Sequence, residues 1–284
     1  MVARVEDGVL VKSPYKKQEF TESELQDFMR CADSKTGPEY FLKNFFFIQH
    51  PVQGKIQYAP WEFQERLIST YHNYRYSISM MSRQTGKSTS AAGYLLWYAM
   101  FKPDSTILVA AHKYAGAQEI MQRVRYSYEA CPDHIRAGAT SYNKGSIEFD
   151  NGSRIVAQTT TENTGRGMSI TLLYCDEFAF VRPTIAREFW TSISPTLSTG
   201  GGAIITSTPN SDEDQFAFLW KGANKTEDEF GNHKELGING FKAYRAYWTE
   251  HPDRDEDWAT EQRNILGVER FRREMDCEFI ISDE

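Results

Sequence analysis

The sequence predicts an α/β fold with a mostly parallel sheet flanked by helices, and two observations predict it. Apolar runs at Tyr76 to Met81, Thr106 to Ala111, Leu172 to Ala179 and Gly202 to Thr208 read as strands buried on both faces. The stretches between the first of them carry helical patterning, a β-α-β-α order that belongs to parallel sheets. The second observation is local: a short glycine-containing loop, residues 82 to 88, joins the first of these strands directly to an apolar helix.

Composition sets the outer limits. At 284 residues the chain can bury a substantial core. With 40% hydrophobic, 14% aromatic and 25% charged residues it is globular rather than disordered. A net charge of −7 argues against a surface wrapped all round in nucleic acid and leaves any such contact to a local basic patch or to further subunits or domains. Cys31, Cys131, Cys175 and Cys277 are scattered, and the histidines have no metal-ligand spacing, which speaks against structural zinc. Cys175 lies in an apolar strand and reads as a small core residue. No apolar run follows Met1 or approaches a membrane span, so a soluble cytoplasmic protein is expected.

In chain order, residues 1 to 44 form an N-terminal helical or extended element, with a capped helix over Thr21 to Met29. Asn44 to Gln49 and Lys55 to Tyr58 read as two strands around a turn, with the Phe45-Phe46-Phe47 triplet assigned to core packing. A helix starts at Pro60, with proline in its first turn, and carries Gln64. Behind the loop a helix runs from Thr89 to Phe101, and another from Tyr114 to Glu129. Asn151-Gly152 divides Ser146 to Ala157 into a hairpin. Thr160 to Ser169 is a loop containing Arg166 between two glycines, and Arg187 to Ser198 is a helix. Ala223 to Gly240 is an exposed loop, followed by a strand at Phe241 to Trp248 and one or two helices over Glu256 to Cys277. Arg270, Arg272 and Arg273 read as a solvated helix face.

The chemistry gathers at three strand ends. In Ser82-Arg83-Gln84-Thr85-Gly86-Lys87-Ser88-Thr89, Gly86 allows backbone to approach a phosphate, Lys87 can reach β and γ phosphates, and Ser88 can place a hydroxyl on Mg²⁺. The helix N-terminus adds unpaired N–H groups and a favourable dipole. The usual pattern opens with glycine where this chain has Met81, and Gly-Lys-Ser alone also occurs as a plain helix cap. The supporting part is Asp176-Glu177 at the end of an apolar strand: Asp176 for the metal, Glu177 as general base toward the attacking water. Thr206-Ser207-Thr208, at the next strand end, can sense a γ-phosphate by hydrogen bonding. Gln64 precedes Lys87 by 23 residues and carries an amide able to read an adenine edge.

With these parts in place the chain resembles the large terminase subunit of tailed bacteriophages over about residues 40 to 281. The phosphate loop with its Arg83, the strand Tyr174 to Ala179, the motif Thr206 to Thr208, the segment around Gln64 and the closing run Phe271 to Phe279 carry the likeness. The resemblance implies a RecA-like (ASCE) P-loop NTPase fold with a core over 45–222 and an exposed loop plus a small C-terminal lid or bridging subdomain over 223–284. It implies Mg²⁺-dependent ATP hydrolysis that drives double-stranded DNA into a procapsid. Further implied partners are a portal ring and the small terminase subunit, with a homo-oligomeric ring on the portal and a monomer in isolation. The implied location is the host cytoplasm and, transiently, the procapsid. Arg83 within its own subunit and Arg166 reaching into a neighbour are both candidates to stabilise charge on the γ-phosphoryl group. Family members carry a nuclease domain after the ATPase domain; this chain stops at Ser282-Asp-Glu284, so no DNA cleavage is expected. Rival readings are a superfamily 2 helicase motor domain, which needs a second RecA-like domain, and a nucleotide-binding scaffold without turnover.

Overall fold

The computed structural model describes residues 4, 5 and 8–281, with side chains from Leu10 onward. The remaining residues of the N-terminal element, and Ser282 to Glu284, lie outside the described residues. The order of elements is β1 (Arg4–Val5), β2 (Gly8–Val9), α1 (Glu22–Ala32), α2 (Gly37–Asn44), β3 (Phe47–His50), β4 (Gly54–Gln57), α3 (Glu62–Asn73) and β5 (Tyr76–Met81). It continues with α4 (Lys87–Phe101), β6 (Thr106–Ala111), α5 (Tyr114–Ala130), β7 (Ala139–Tyr142), β8 (Ser146–Phe149), β9 (Arg154–Thr159) and β10 (Leu172–Asp176). The last part holds α6 (Pro183–Leu197), β11 (Gly202–Ser207), α7 (Gln215–Asn224), β12 (Lys242–Ala246), α8 (Glu256–Leu266) and α9 (Val268–Glu274).

One eight-stranded sheet organises the chain, in the order β12-β5-β11-β10-β6-β9-β8-β7. From β12 through β9 every pairing is parallel, and β8 and β7 add an antiparallel edge. The strands β5, β6, β10 and β11 are buried almost throughout, as their unbroken apolar runs require when helices cover both faces. The register sets Thr206 opposite Ser79 and Asp176 opposite Ala111, which brings the chemically equipped strand ends to one rim of the sheet.

Two cores lie on the two faces. On one side α2, α3, α4 and α5 pack with Phe41, Leu67, Leu95, Trp97 and Tyr128 fully buried. Trp97 also donates its indole N–H to Cys31 O at 2.7 Å, tying α4 to α1. Truncating Trp97 to alanine would cost about 3–5 kcal/mol. Gly93 sits mid-helix in α4 because a Cβ there would come within 2.5 Å of Leu42 and 3.0 Å of the Phe46 ring. On the other side Phe178, Phe189, Ile205 and Phe216 pack under α6 and α7. Cys175 is fully buried there, as its strand implies. A third, small cluster packs Ala259 of α8 and Phe271 of α9 with Trp248, ahead of α8, and Met275, just past α9.

Several elements differ from the sequence reading. α3 begins at Glu62 with Trp61 at its cap, so Pro60 stands outside the helix instead of in its first turn. The phosphate-loop helix starts at Lys87 and α6 at Pro183, both earlier than read, because proline or glycine marks the true entry. α2, β7 and α7 were not anticipated: each is short, and each draws its stability from tertiary contacts. The 222/223 boundary does not mark an edge of the sheet, since β12 pairs in parallel with β5. Phe46 is fully buried, as assigned, and the capped helix at Thr21 forms with a reciprocal Thr21–Glu24 capping box. Arg270 and Arg273 both lie against the buried Glu274 carboxylate, at 3.0 and 3.9 Å, and Arg272 against Glu278. They are paired, not simply solvated.

Candidate active site

The site is built where β5, β10 and β11 end. After Met81 the chain turns through residues 82–86, with Gln84 at φ +57° and Gly86 at φ +74°. Gly86 is the residue type such a conformation favours, and a Cβ on it would meet Gln64 Nε2 at 2.5 Å. The turn delivers the N-terminus of α4 with Lys87 as its first residue, so Ser88 and Thr89 fall in the first turn, where backbone N–H groups have no helical partner. Thr85 is buried and donates its hydroxyl to Ser82 O at 2.7 Å, which closes the loop on itself.

Lys87 and Glu177 meet directly: the ammonium donates to Glu177 Oε1. Burial alone would push the Lys87 pKa down, but the Glu177 and Asp176 carboxylates more than offset it, and the net shift is upward. Glu177 takes a left-handed backbone, φ +50° and ψ +45°, just past the end of β10. A non-glycine residue there is strained, and such strain gathers at sites that need a side chain aimed. Asp176 is 8% exposed. Its own burial raises its pKa to about 6, with Lys87 lowering it and Glu177 raising it again. Tyr174 Oη lies 3.5 Å from Asp176 Oδ1.

The motif Thr206 to Thr208 is wholly buried. Ser207 Oγ accepts from Ala179 N at 3.2 Å, and Asn210 Nδ2 donates to Ala179 O at 3.4 Å, so the end of β11 and the segment just past it hold the stretch that follows Glu177 by both sides of one residue. The hydroxyls of Ser77, Ser79 and Thr206 are buried without a protein partner among the described residues.

Gln64 is placed differently from the adenine-reading expectation. It is 3% exposed, its Nε2 donates to Thr85 O at 3.0 Å, and its Oε1 accepts from Trp61 N at 3.1 Å. In this conformation the amide braces the loop. Thr89 accepts a hydrogen bond from Arg123 Nη1 at 3.0 Å, while Ser82 gives its hydroxyl to Met275 O and so serves the loop's anchorage. Arg83 is half-exposed and its Nη1 lies 3.3 Å from Glu274 Oε1. Arg166 is exposed on its loop, and its guanidinium has no partner among the described residues. The structure therefore brings together Ser82 to Thr89, Asp176, Glu177 and Gln64, whereas Arg166 makes no hydrogen bond or ion pair with any of them.

Sequence reading missed two residues. His112, just past β6, donates its backbone N–H to Asp176 O at 3.3 Å; burial and Lys113 lower its pKa, and Glu177 acts against that shift. Its position after an apolar strand on the same rim was the available signal. Arg254 reaches the loop from the C-terminal region, and nothing in its sequence neighbourhood marks it.

These residues fit a magnesium ion shared with a phosphate substrate. Mg²⁺ takes oxygen ligands, keeps several waters and binds through one or two side chains plus phosphates. Asp176, nearly buried and with its charge penalised by burial, and the Ser88 hydroxyl at a helix N-terminus are donors of that type. Among the described residues no group of three or more His, Cys, Asp or Glu forms a protein-only cage. No described helix is long and apolar enough to cross a membrane.

Residues 78–284 match a protein family described as terminase large subunit, T4-like-virus type, N-terminal. Among solved structures, the chain is similar to the large terminase ATPase domain of Thermus phage P74-26 in its R139A form. The identity is 21% and the TM-score 0.63, over 78% of this chain and 95% of that one. It is also similar to the large terminase of bacteriophage HK97, at 17% identity and TM-score 0.64, over 84% of this chain and 53% of that one. A third is the large terminase of the thermophilic bacteriophage D6E, solved in complex with ADP, at 10% identity and TM-score 0.60, over 77% of this chain and 53% of that one. The chain thus spans about half the length of the HK97 and D6E proteins. The shared fold is RecA-like.

Proposed function

Since the chain belongs to the N-terminal family of terminase large subunits, we propose that it is the ATPase motor domain of a viral DNA-packaging machine, hydrolysing ATP to drive double-stranded DNA into a procapsid. The observation that carries the reading is the direct contact of Lys87 with Glu177 beside the buried Asp176, at the N-terminus of α4. A cation suited to phosphate and a carboxylate suited to water activation already face each other.

In this reading the backbone N–H groups of the loop and the first turn of α4 receive the β-phosphate, and Lys87 leaves Glu177 for the β and γ oxygens. Glu177, relieved of its ammonium partner, accepts the proton of the attacking water. Ser88 and Asp176 would hold Mg²⁺, which when bound neutralises charge on the phosphate oxygens. Arg83 or Arg166 supplies a further positive charge to the γ-phosphoryl group, the first within the subunit and the second across to a neighbour. Thr206, Ser207 and Thr208 sense the change through the bond to Ala179 and pass it toward the C-terminal helices. Residues 1–44 would serve as an N-terminal element, 45–222 together with the sheet strand β12 as the ATPase core, and the rest of 223–284 as loop plus lid. Translocation then requires a homo-oligomeric ring on a portal, with the small subunit delivering DNA in the host cytoplasm and the procapsid as destination.

Phosphate release from ATP by the purified chain, with and without Mg²⁺, duplex DNA and portal rings, tests the proposal. Turnover that requires Mg²⁺ and disappears in Lys87→Ala is expected. Absence of turnover under every one of these conditions, with nucleotide still bound, would favour the scaffold reading instead.

A further inference from the structure

The phosphate loop is gripped from outside by residues far along the chain. Arg254, ahead of α8, donates Nη1 to Arg83 O at 3.1 Å and Nη2 to Gln84 O at 2.6 Å. Its guanidinium lies 4.6 Å from the ring centroid of Trp258 in α8. Close by, Arg83 N donates to Glu274 O at 2.9 Å, and the Ser82 hydroxyl donates to Met275 O.

The direction of this grip matters. A trans peptide is planar, with its C=O and N–H pointing to opposite sides. A guanidinium that holds the carbonyls of Arg83 and Gln84 therefore turns the N–H groups of Gln84 and Thr85 away from itself. Successive N–H groups around a left-handed residue such as Gln84, φ +57°, form a concavity suited to an anion. A planar fork with two parallel donors fixes two adjacent carbonyls at once, which a single ammonium cannot do.

We propose that Arg254 is a positioning residue that sets the phosphate-binding conformation of residues 83–85, and so couples the α8–α9 unit to occupancy of the loop by a nucleoside di- or triphosphate. The inference rests on the reading of that loop as the ATP site. By linkage, whatever loosens the Arg254 contact weakens nucleotide binding, and nucleotide binding tightens the contact by the same factor. The effect falls on the β-phosphate cradle, so ADP and ATP share it. A residue acting on the γ-phosphoryl group would instead separate the two.

The test uses the full chain in wild-type, Arg254→Ala and Arg254→Lys forms. It measures equilibrium binding of ADP and of a non-hydrolysable ATP analogue, steady-state ATPase, and the Trp258 fluorescence component obtained by difference from Trp258→Phe. Arg254→Ala should raise both Kd values and KM about tenfold while kcat changes less than about threefold. Arg254→Lys, able to reach one carbonyl, should fall between. The nucleotide-induced change in Trp258 emission should vanish in Arg254→Ala. Unchanged ADP affinity in both variants, or a loss confined to kcat, would overturn the proposal. A wild-type chain that binds neither nucleotide would overturn the ATP-site reading along with it.

Discussion

Lys87 donates to Glu177 across the gap between the start of α4 and the end of β10, so the phosphate-seeking cation and the base occupy each other. Each must leave the other before a nucleotide can be processed. Replacing Glu177 by glutamine keeps the shape and removes the charge. We expect kcat to fall about 10²–10⁴-fold, with ADP and ATP bound as tightly as before or several-fold tighter, because Lys87 no longer has to be drawn from a carboxylate. Single-turnover hydrolysis and equilibrium titration separate the two effects; loss of binding would contradict this account.

Asp176 gives a pH signature. Its folded pKa is raised from 3.8 to about 6, chiefly by burial. A carboxyl raised in this way favours the native state while protonated; that advantage is complete below pH 4 and is lost as pH climbs through 6. Asp176→Asn should therefore stabilise the nucleotide-free chain at pH 8 by about 2–3 kcal/mol, and not at pH 4. Thermal melts at the two values check it. In the unmutated chain Mg²⁺ affinity should fall as pH drops below about 6, since protonated Asp176 is a poor ligand.

Gly86 is constrained twice, by φ +74° and by Gln64 Nε2 at 2.5 Å from a would-be Cβ. Gly86→Ala should cost about 1–2 kcal/mol and weaken nucleotide binding. Part of that cost is steric, so Gly86→Ala with Gln64→Ala should be less destabilised than the two singles added. Chemical denaturation of all three variants decides it, and strict additivity would mean that the backbone strain alone matters.

Arg83 is tied to Glu274 in its own chain, whereas Arg166 is exposed on a loop. If Arg166 acts across a subunit boundary, Arg166→Ala and Glu177→Ala chains, each inactive, should recover measurable ATPase when assembled together. Mixtures that stay inactive at every ratio would leave the role to Arg83.

The parallel part of the sheet was legible because strands buried on both faces write themselves as unbroken apolar runs: Thr106 to Ala111 and Tyr76 to Met81 match the structure residue for residue. Asp176 and Glu177 drew attention because they end such a run, and Lys87 because it opens the helix that follows the loop after another. What stayed hidden depends on distant partners. α2 and α7 are too short for periodicity to identify. Gln64 has the right chemistry to read a base, yet its amide is spent on Thr85 and Trp61, which only the packing of α3 against the loop reveals. Arg254 lies 170 residues past Gln84, and no local pattern links them.

Ser79 and Thr206 stand opposite each other on β5 and β11, and both hydroxyls, like that of Ser77, lack a protein partner among the described residues. Valine or alanine would pack the same space dry. A buried hydroxyl costs free energy unless something pairs with it, so these positions put polar atoms between two central strands where apolar packing alone would not call for them. The strand pair that carries the loop and its sensor thus keeps hydrogen-bonding capacity in reserve along a seam that is otherwise apolar and regularly paired.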